Sequence, residues 1–527
     1  MKRVTILLIA VVMVTASFFG CTPVAASEDA AAAVGESSSS STDEAVASTE
    51  AKRDDLNLAL WGIVSTLDPS ASALTVDLDL FHQIYDALYF VDDYSVAHPR
   101  IAESYTVSED GMVYTFKIRQ DAFFHNGDPV TADDVVFSFG LAMESGVMAP
   151  YVGIVQTVEK TGDNEVAITI AQPYTPFINN VCNIFIVSER AYTEAGETFG
   201  STITGGGSGP YKLISYDGNI GIELEAFDMY YRGEAAIKHV KYTIMSDASS
   251  GLIAFESGEL DFCSVPTANW NEISSNEKYT SVLNPTSHIS YMLLNPSSGL
   301  LTNQDLRYAI NYAIDRDAIN LIAYEGLANP AYHMMHPDYI FGASDDTFKF
   351  TYDTEKAKEY LAKAGYPDGV DIGEIQYTTA TYYPKIAQTI QSQLAAVGIT
   401  CEIVGGQTSD LVTGWRAGEF NALISGFNAQ LDYDYYTRYT SPAISTAFLK
   451  YQLTEYDADW VLEMYNKGAS ELDPEKRIAI YEELENFIAG TACYIPIFNK
   501  SLPYAWDKDL DVSINLNWYY IYDWSWK

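Results

Sequence analysis

Between Ile375 and Val404 the chain spells out a strand, an amphipathic helix and a second strand with few residues to spare. Ile375 to Thr378 is a short β-type run. Pro384 then stands at a first helical position, where a missing amide costs nothing. Ile386, Ile390, Leu394 and Val397 line one face of that helix at three- and four-residue steps. Gly398 stops it, and Ile399 to Val404 is the next strand. Strands joined through a crossover helix run parallel, and the fixed hand of the connection lays the helix on one face of the sheet. Parallel sheets are covered on both faces. This segment therefore demands a layered α/β domain.

The first third has no such regularity. Leu56 to Trp61 reads as a strand, and Leu67-Asp68-Pro69 as a turn. Leu80 to Tyr89 is expected to be a helix with Phe81, Ile84, Tyr85 and Leu88 on one face. Val113 to Ile118 alternates and predicts a half-buried strand, Asn126-Gly127 a turn, and Asn164 to Ile170 another strand. Thr131 caps a helix, with Asp134 at the capping-box position. In the second half, Thr302 and Asp305 are expected to open a helix. Thr354 to Ala364 is a helix stopped by Gly365, and Ile478 to Ile488 is a late one. The aromatic tail from Leu516 to Trp526 is expected to dock on a core.

The N-terminus carries an export pattern. Lys2 and Arg3 precede an apolar run, Val4 to Phe19, that is short for a membrane span. The run ends Ser17-Phe18-Phe19-Gly20-Cys21, which resembles the bacterial lipobox, although Phe18 and Phe19 depart from its usual residues. The resemblance implies removal of residues 1–20 and a lipid on Cys21. Thr22 to Arg53 is rich in Ala, Ser, Thr, Glu and Asp and cannot offset its ordering entropy by burial. It reads as a disordered tether spanning roughly 30 Å.

A formal net charge of −41 excludes nucleic acid and anionic lipid surfaces as partners, because both would be repelled. No hydrolase elbow, zinc-protease pair, phosphate loop or EF-hand loop is present. No enzyme activity, cofactor or metal is expected. Gly205-Gly206-Gly207-Ser208-Gly209-Pro210 reads as a turn or hinge, since Pro210 lacks the amide a phosphate cradle would use. His333 and His336 are bracketed by Pro330 and Pro337, which argues for a loop, and Asp432 and Asp434 are too few for calcium. Cys182, Cys263, Cys401 and Cys493 show no metal-type spacing and are expected to be isolated thiols.

Several blocks together resemble the family 5 extracellular solute-binding proteins of ABC importers, which include oligopeptide-, dipeptide- and nickel-binding proteins. They are Ile84 to Tyr89, Ala102 to Tyr105, Asp110 to Arg119, Phe124 to Val135, Gly209 to Tyr211, Gly258 to Asp261, Arg307 to Arg316, and Tyr352-Asp353 through Ala364 to Tyr366. The resemblance runs from about Leu56 to about Asn499. It implies a two-lobed α/β periplasmic-binding-protein fold of the class II type, with an extra α+β domain inserted in the first lobe. The expected limits are 1–20 for the signal and 21–53 for the lipid-anchored linker. Residues 54–90, 196–290 and 500–527 would form lobe I, 91–195 the inserted domain and 291–499 lobe II. Ligand would lie between the lobes.

In peptide binders of that family a Gly-Trp-x-x-Asp stretch flanks the ligand, and its aspartate holds the ammonium end. The matching stretch here is Gly426-Phe427-Asn428-Ala429-Gln430, so the aspartate's place falls on Gln430 and the tryptophan's on Phe427. Asp432 or Asp434 could substitute after a two-residue shift. The resemblance implies Ser65, Tyr151, Tyr291, Phe427, Asn428, Gln430 and Asp432 as ligand contacts. A peptide is the expected solute and a neutral oligosaccharide the alternative. A peptide-sensing receptor without transport is a further reading. The expected partners are ABC permease subunits and, through the lipid alone, the membrane; the protein is expected to be a monomer.

Overall fold

The computed structural model describes residues 53–93, 96–217, 220–297, 299–333, 348–380, 382–428, 458–516 and 519–527. Cys21, Gln430, Asp432, Asp434 and His336 lie outside the described residues.

Along the chain, β1 (Asp55–Leu60) leads to α1 (Thr75–Ile84). Then come β2 (Ala102–Val107), β3 (Val113–Ile118), α2 (Ala132–Glu144), α3 (Ala149–Val152), β4 (Val155–Gly162) and β5 (Glu165–Ile170). Next are β6 (Tyr211–Asp217), β7 (Gly221–Ala226), β8 (His239–Ile244), α4 (Ala248–Glu256), β9 (Phe262–Ser264) and the long β10 (Tyr279–Leu294). The second half adds α5 (Gln304–Ala313), α6 (Arg316–Tyr324), β11 (Asn329–Pro330), α7 (Thr354–Lys363), β12 (Val370–Thr378), α8 (Tyr383–Ala396), β13 (Ile399–Gly406) and β14 (Ala422–Asn428). It closes with α9 (Ala458–Ser470), α10 (Pro474–Gly490) and the long β15 (Tyr494–Asp507).

The predicted strand–helix–strand unit is present. β12 and β13 are parallel, with Ile375 beside Ile403, and β14 joins β12 in parallel on the other side. The main sheet runs β13-β12-β14-β10-β15-β9-β1-β8-β7-β6, with β11 on β15. Strand alternation sorts its side chains into cores on both faces. In the second half, Met292, Leu294, Ile375 and Ile424 pack under α5 to α8, while Tyr291, Leu293, Leu423 and Phe427 pack against α10. In the first half, Leu56, Leu58, Leu60 and Trp506 face one side, with Ala59, Cys263 and Ala505 on the other. A separate antiparallel sheet, β2-β3-β5-β4, has its own core around Phe116, Phe139 and Ile168. The molecule thus has the two-lobed α/β fold, with a smaller α+β body set into the first half.

Among the described strands, β10 and β15 alone run through both halves. They pair from Tyr279 opposite Asp507 to Pro285 opposite Ser501, and again from Ile289 opposite Asn499 to Leu293 opposite Tyr494. Between these stretches Thr286, Ser287 and His288 stand against Lys500 alone, a bulge of the kind that bends a ladder and raises its twist.

Two expectations need correction. The first helix spans Thr75–Ile84 and not Leu80–Tyr89, because Tyr85 is extended and Ala87 bridges to Phe185. Leu88 and Tyr89 belong to the small domain's core, so the helix-like apolar spacing runs on past the end of the helix itself. The helix at 304 is capped by Asn303, whose side chain accepts from the Asp305 and Leu306 amides; Thr302 donates to the Gly299 carbonyl instead. Thr131 and Asp134 do form the expected capping box. The glycine run at 205–209 serves close approach: a Cβ on Gly207 would collide with the Ile84 carbonyl oxygen. The C-terminal tail is docked, with Trp524 and Trp526 buried. The four cysteines among the described residues form no disulfide with one another.

Candidate ligand site at the strand crossover

Register fixes where the carboxyl ends of the parallel strands point. Asn428, the last residue of β14, pairs with His288 beside the bulge, so β12 and β14 end towards the crossover. In the first half Ser264, the last residue of β9, pairs with Tyr504, and β1 runs parallel to β9, so β1 and β8 also end towards the crossover. Ligands of open α/β sheets bind outside the carboxyl ends of the strands. Here two such ends converge on Lys500 and the bulge.

The second-half wall is a neutral hydrogen-bonding cluster. His288 Nδ1 lies 3.0 Å from Asn428 Oδ1, and its Nε2 lies 3.0 Å from the Tyr382 hydroxyl and 3.3 Å from that of Tyr383. The Ser290 hydroxyl donates to Tyr382 at 3.5 Å. The N-terminus of α8 delivers both tyrosines, and the bulge delivers the histidine. Burial pushes His288 down to about 4, the Asn428 contact opposes this and the nearby Lys500 charge adds to it, so the imidazole is neutral at pH 7. Burial raises both phenols.

The first-half wall is aromatic and carries one carboxylate. Asp79 projects from α1, one turn before Gln83, whose amide holds the Tyr519 carbonyl at 2.9 Å and the Ile521 amide at 3.1 Å. The hydroxyls of Tyr242, Tyr504 and Tyr519 feel the Asp79 charge. Phe262 stacks on Tyr504 at 5.1 Å and contacts Trp524 at 5.2 Å. Among the described residues the Asp79 carboxylate has no hydrogen bond or ion pair, and burial pushes it up to about 7. Lys500, at the crossover, is likewise without a side-chain partner among the described residues, and burial lowers it.

The sequence-predicted contacts are scattered. Tyr291 is 2% exposed, stacked on Tyr494 at 4.9 Å and edge-on to Phe427 at 5.7 Å, inside a core. Asn428 is exposed and holds His288. Ser65 is exposed, and both its amide (2.8 Å) and its hydroxyl bond Asp77, a buried acid in the first turn of α1. Tyr151 is half-buried on the small domain's core. Tyr291 and Phe427 are brought together in that core, whereas Asn428 meets His288, Ser65 meets Asp77 and Tyr151 packs on the small domain. Sequence reading missed His288, Tyr382, Tyr383, Asp79 and Lys500. The adjacent pair Tyr382-Tyr383 before Pro384 was a usable signal, because a helix N-terminus after a parallel strand faces the ligand side.

A two-lobed α/β body whose strand ends converge on a polar crossover defines a receptor that holds a solute between halves. Comparison gives the family: residues 96–445 match the model of the bacterial extracellular solute-binding proteins, family 5 (middle region), and the chain belongs to that family. It is 26% identical over 501 residues to heme-binding protein A of Haemophilus influenzae, covering 86% of this chain and 89% of that one. It is 25% identical over 488 residues to the glutathione-binding protein GsiB of Escherichia coli, covering 88% and 93%. HbpA2 from Haemophilus parasuis superposes with a TM-score of 0.82 at 24% identity, over 90% of this chain and all of the other. The oligopeptide-binding protein AppA from Bacillus subtilis, solved with a nonapeptide, gives 0.70 at 23% identity, over 90% of this chain and 99% of the other. The protein is therefore an extracytoplasmic solute-binding component of an ABC importer and not an enzyme. No helix of the described residues is long and apolar enough to cross a membrane.

Proposed function

We propose that this chain captures short peptides between its lobes and delivers them to an ABC permease, as a monomer held at the cell membrane by lipid on Cys21. The observation that carries the peptide reading is the neutral cluster His288–Tyr382–Tyr383–Asn428 at the carboxyl ends of the second-half strands. It offers hydroxyl, imidazole and amide groups without charge, which suits the main-chain amides of a peptide and ignores side-chain identity. Relatives of the same fold were solved with the peptide STSA, a nonapeptide and Met-Leu. Asn428 and the loop positions Gln430 and Asp432 would flank the ligand from the second lobe, and Ser65 and Tyr151 from the first lobe and its inserted domain. Lobe I would comprise 54–90, 196–290 and 500–527, the inserted domain 91–195 and lobe II 291–499. The bulge opposite Lys500 would act as the hinge.

The test is a calorimetric and thermal-shift comparison of peptides with cello- and xylo-oligosaccharides on the mature chain. A peptide at 100 times its dissociation constant stabilises by about 2.7 kcal/mol. Binding of the sugars with no response to any peptide would replace peptide with oligosaccharide. Mass spectrometry of the membrane-extracted protein checks the anchor: a Cys21→Ser variant should lose the lipid mass and leave the membrane fraction.

A further inference from the structure

The glycine run at 205–209 has no part in the crossover, yet its backbone walls a separate cavity of about 170 Å³ in the first half. The cavity lies on β6, the last strand of the main sheet and five strand spacings from β15, or roughly 24 Å. Lys212 stands opposite Glu225, Glu225 opposite His239 and His239 opposite Asp55. The cavity is therefore level with the start of β1, away from the carboxyl ends that face the crossover. Leu67, Ile84, Tyr85 and Leu213 line it, together with Ile203 and Ile214, both exposed at its rim. A cavity of roughly 150 Å³ with aliphatic walls admits a molecule the size of benzene.

Most polar groups around the cavity are already engaged. The Tyr85 hydroxyl donates to the Leu67 carbonyl at 2.8 Å, the Thr204 hydroxyl accepts from the Gly206 amide at 3.2 Å, and Lys212 is paired with Glu225 at 3.1 Å. The carbonyls of Gly205, Gly206 and Gly207 accept from the amides of Asn126, Ser188 and His125. The groups left open include one acceptor and one donor that stand side by side. His125 Nε2 donates to the Gly209 carbonyl at 3.0 Å, so Nδ1 carries the lone pair, and it has no hydrogen bond among the described residues. A Cβ at position 207 would stand 3.2 Å from Nδ1; glycine leaves that nitrogen uncovered. The Gly207 amide is buried and has no acceptor among the described residues, a state that carries a free-energy cost. The lining holds no acid, and burial pushes His125 down to about 4, so the imidazole is neutral at pH 7.

We propose that this cavity is a second binding site, for a small uncharged apolar molecule that carries one hydroxyl, such as a simple phenol or alcohol. The hydroxyl donates to His125 Nδ1 and accepts from the Gly207 amide, the two roles one oxygen can fill at once. The hydrocarbon part lies against Leu67, Ile84 and Leu213 and is covered at the mouth by Ile203 and Ile214. Such a ligand satisfies two groups that the empty protein leaves open. The site is independent of the crossover and of the solute taken there.

The test uses the mature full-length protein with 4-methylphenol and toluene, which share a ring and a methyl group and differ by the hydroxyl. Affinity is read by ligand-observed NMR titration. The wild type should bind 4-methylphenol about tenfold more tightly than toluene, the size of effect expected for the hydroxyl's hydrogen bonds. In His125→Phe that preference should disappear while toluene still binds. Ile203→Trp/Ile214→Trp closes the mouth from two exposed positions and should lose both probes at least tenfold. Circular dichroism checks the fold of each variant, and the rim variant decides by itself if His125→Phe does not fold. No binding of 4-methylphenol to the wild type would overturn the proposal. So would equal binding of the two probes, or unchanged binding in the rim variant, which would put the probe elsewhere on the protein.

Discussion

The first half of the molecule is joined to its neighbours in two different ways. Its joint with the small domain is dense in polar contacts. Asp86 accepts from Tyr230 at 2.9 Å and from Tyr231 at 2.8 Å, and its other oxygen lies 3.8 Å from Arg100. The Ser138 hydroxyl meets the Val187 backbone, and the His125 and Asn126 amides donate to the Gly207 and Gly205 carbonyls. Its joint with the second half consists of two strands, interrupted by a bulge, beside two charges without partners among the described residues. Where polar groups are densely bonded, the geometry is held; where charges lack partners among the described residues, a ligand or a movement has something to complete. The contrast sets the proposed binding site at the crossover apart from the densely bonded joint with the small domain.

The contrast breaks most visibly at Asp86. Asp86→Ala leaves Arg100, 8% exposed, without its carboxylate, and should destabilise the fold by about 3–5 kcal/mol. Urea unfolding measures this. A loss below about 1 kcal/mol would mean that the joint is not a satisfied network. Next comes His288→Leu, which removes the shared partner of Tyr382, Tyr383 and Asn428 and should cost about 1–3 kcal/mol together with peptide affinity. Lys500→Met should behave in the opposite way in the empty protein. Replacing a partly buried ammonium that has no side-chain partner among the described residues with an apolar side chain should leave stability unchanged or raise it by up to about 1 kcal/mol. A clear loss would show that Lys500 has a structural partner.

The smallest expected effect is on pH dependence. Burial raises Asp79 to about 7, from the ordinary carboxylate value of 3.8, so the folded state binds a proton the unfolded state has lost. Stability from this group is full below about 4 and is lost as pH rises to 7. His288 runs the other way. With a folded value of about 4 against 6.5, its contribution is full above 6.5 and is lost as pH falls through 4. Asp79 faces Tyr242, Tyr504 and Tyr519; His288 faces Tyr382, Tyr383 and Lys500. Thermal melts of Asp79→Asn against wild type should coincide near pH 4 and diverge towards about pH 8, with the variant the more stable. His288→Asn should lose most against wild type above pH 6.5. His82 and His125 are also pushed down by burial, so single-variant differences are the readout and not the whole-protein curve.

Much of the fold was legible because it rests on local periodicity. The strand–helix–strand unit, the Thr131 capping box and the alternating strands at 113–118 and 165–170 are written in spacings of two and three to four residues, which need no distant partner. The limits of the helix at 75–84 were not legible, because apolar residues continue past its end into another core. The site was legible only in part. Phe427 and Asn428 follow from the 426–430 stretch, and Tyr291, expected near a lobe crossover, meets Phe427, but Phe427 and Tyr291 are buried in a core while Asn428 holds His288.

What the sequence determined by itself was the layered α/β character and the absence of a recognisable catalytic motif, since composition and short-range order carry both. What only the tertiary structure decided was which groups meet. Asp79 on a helix, His288 in a bulge and Lys500 on a strand lie far apart along the chain, and no local pattern marks them. An acid or a lysine in this chain is one among many until folding withdraws water from it.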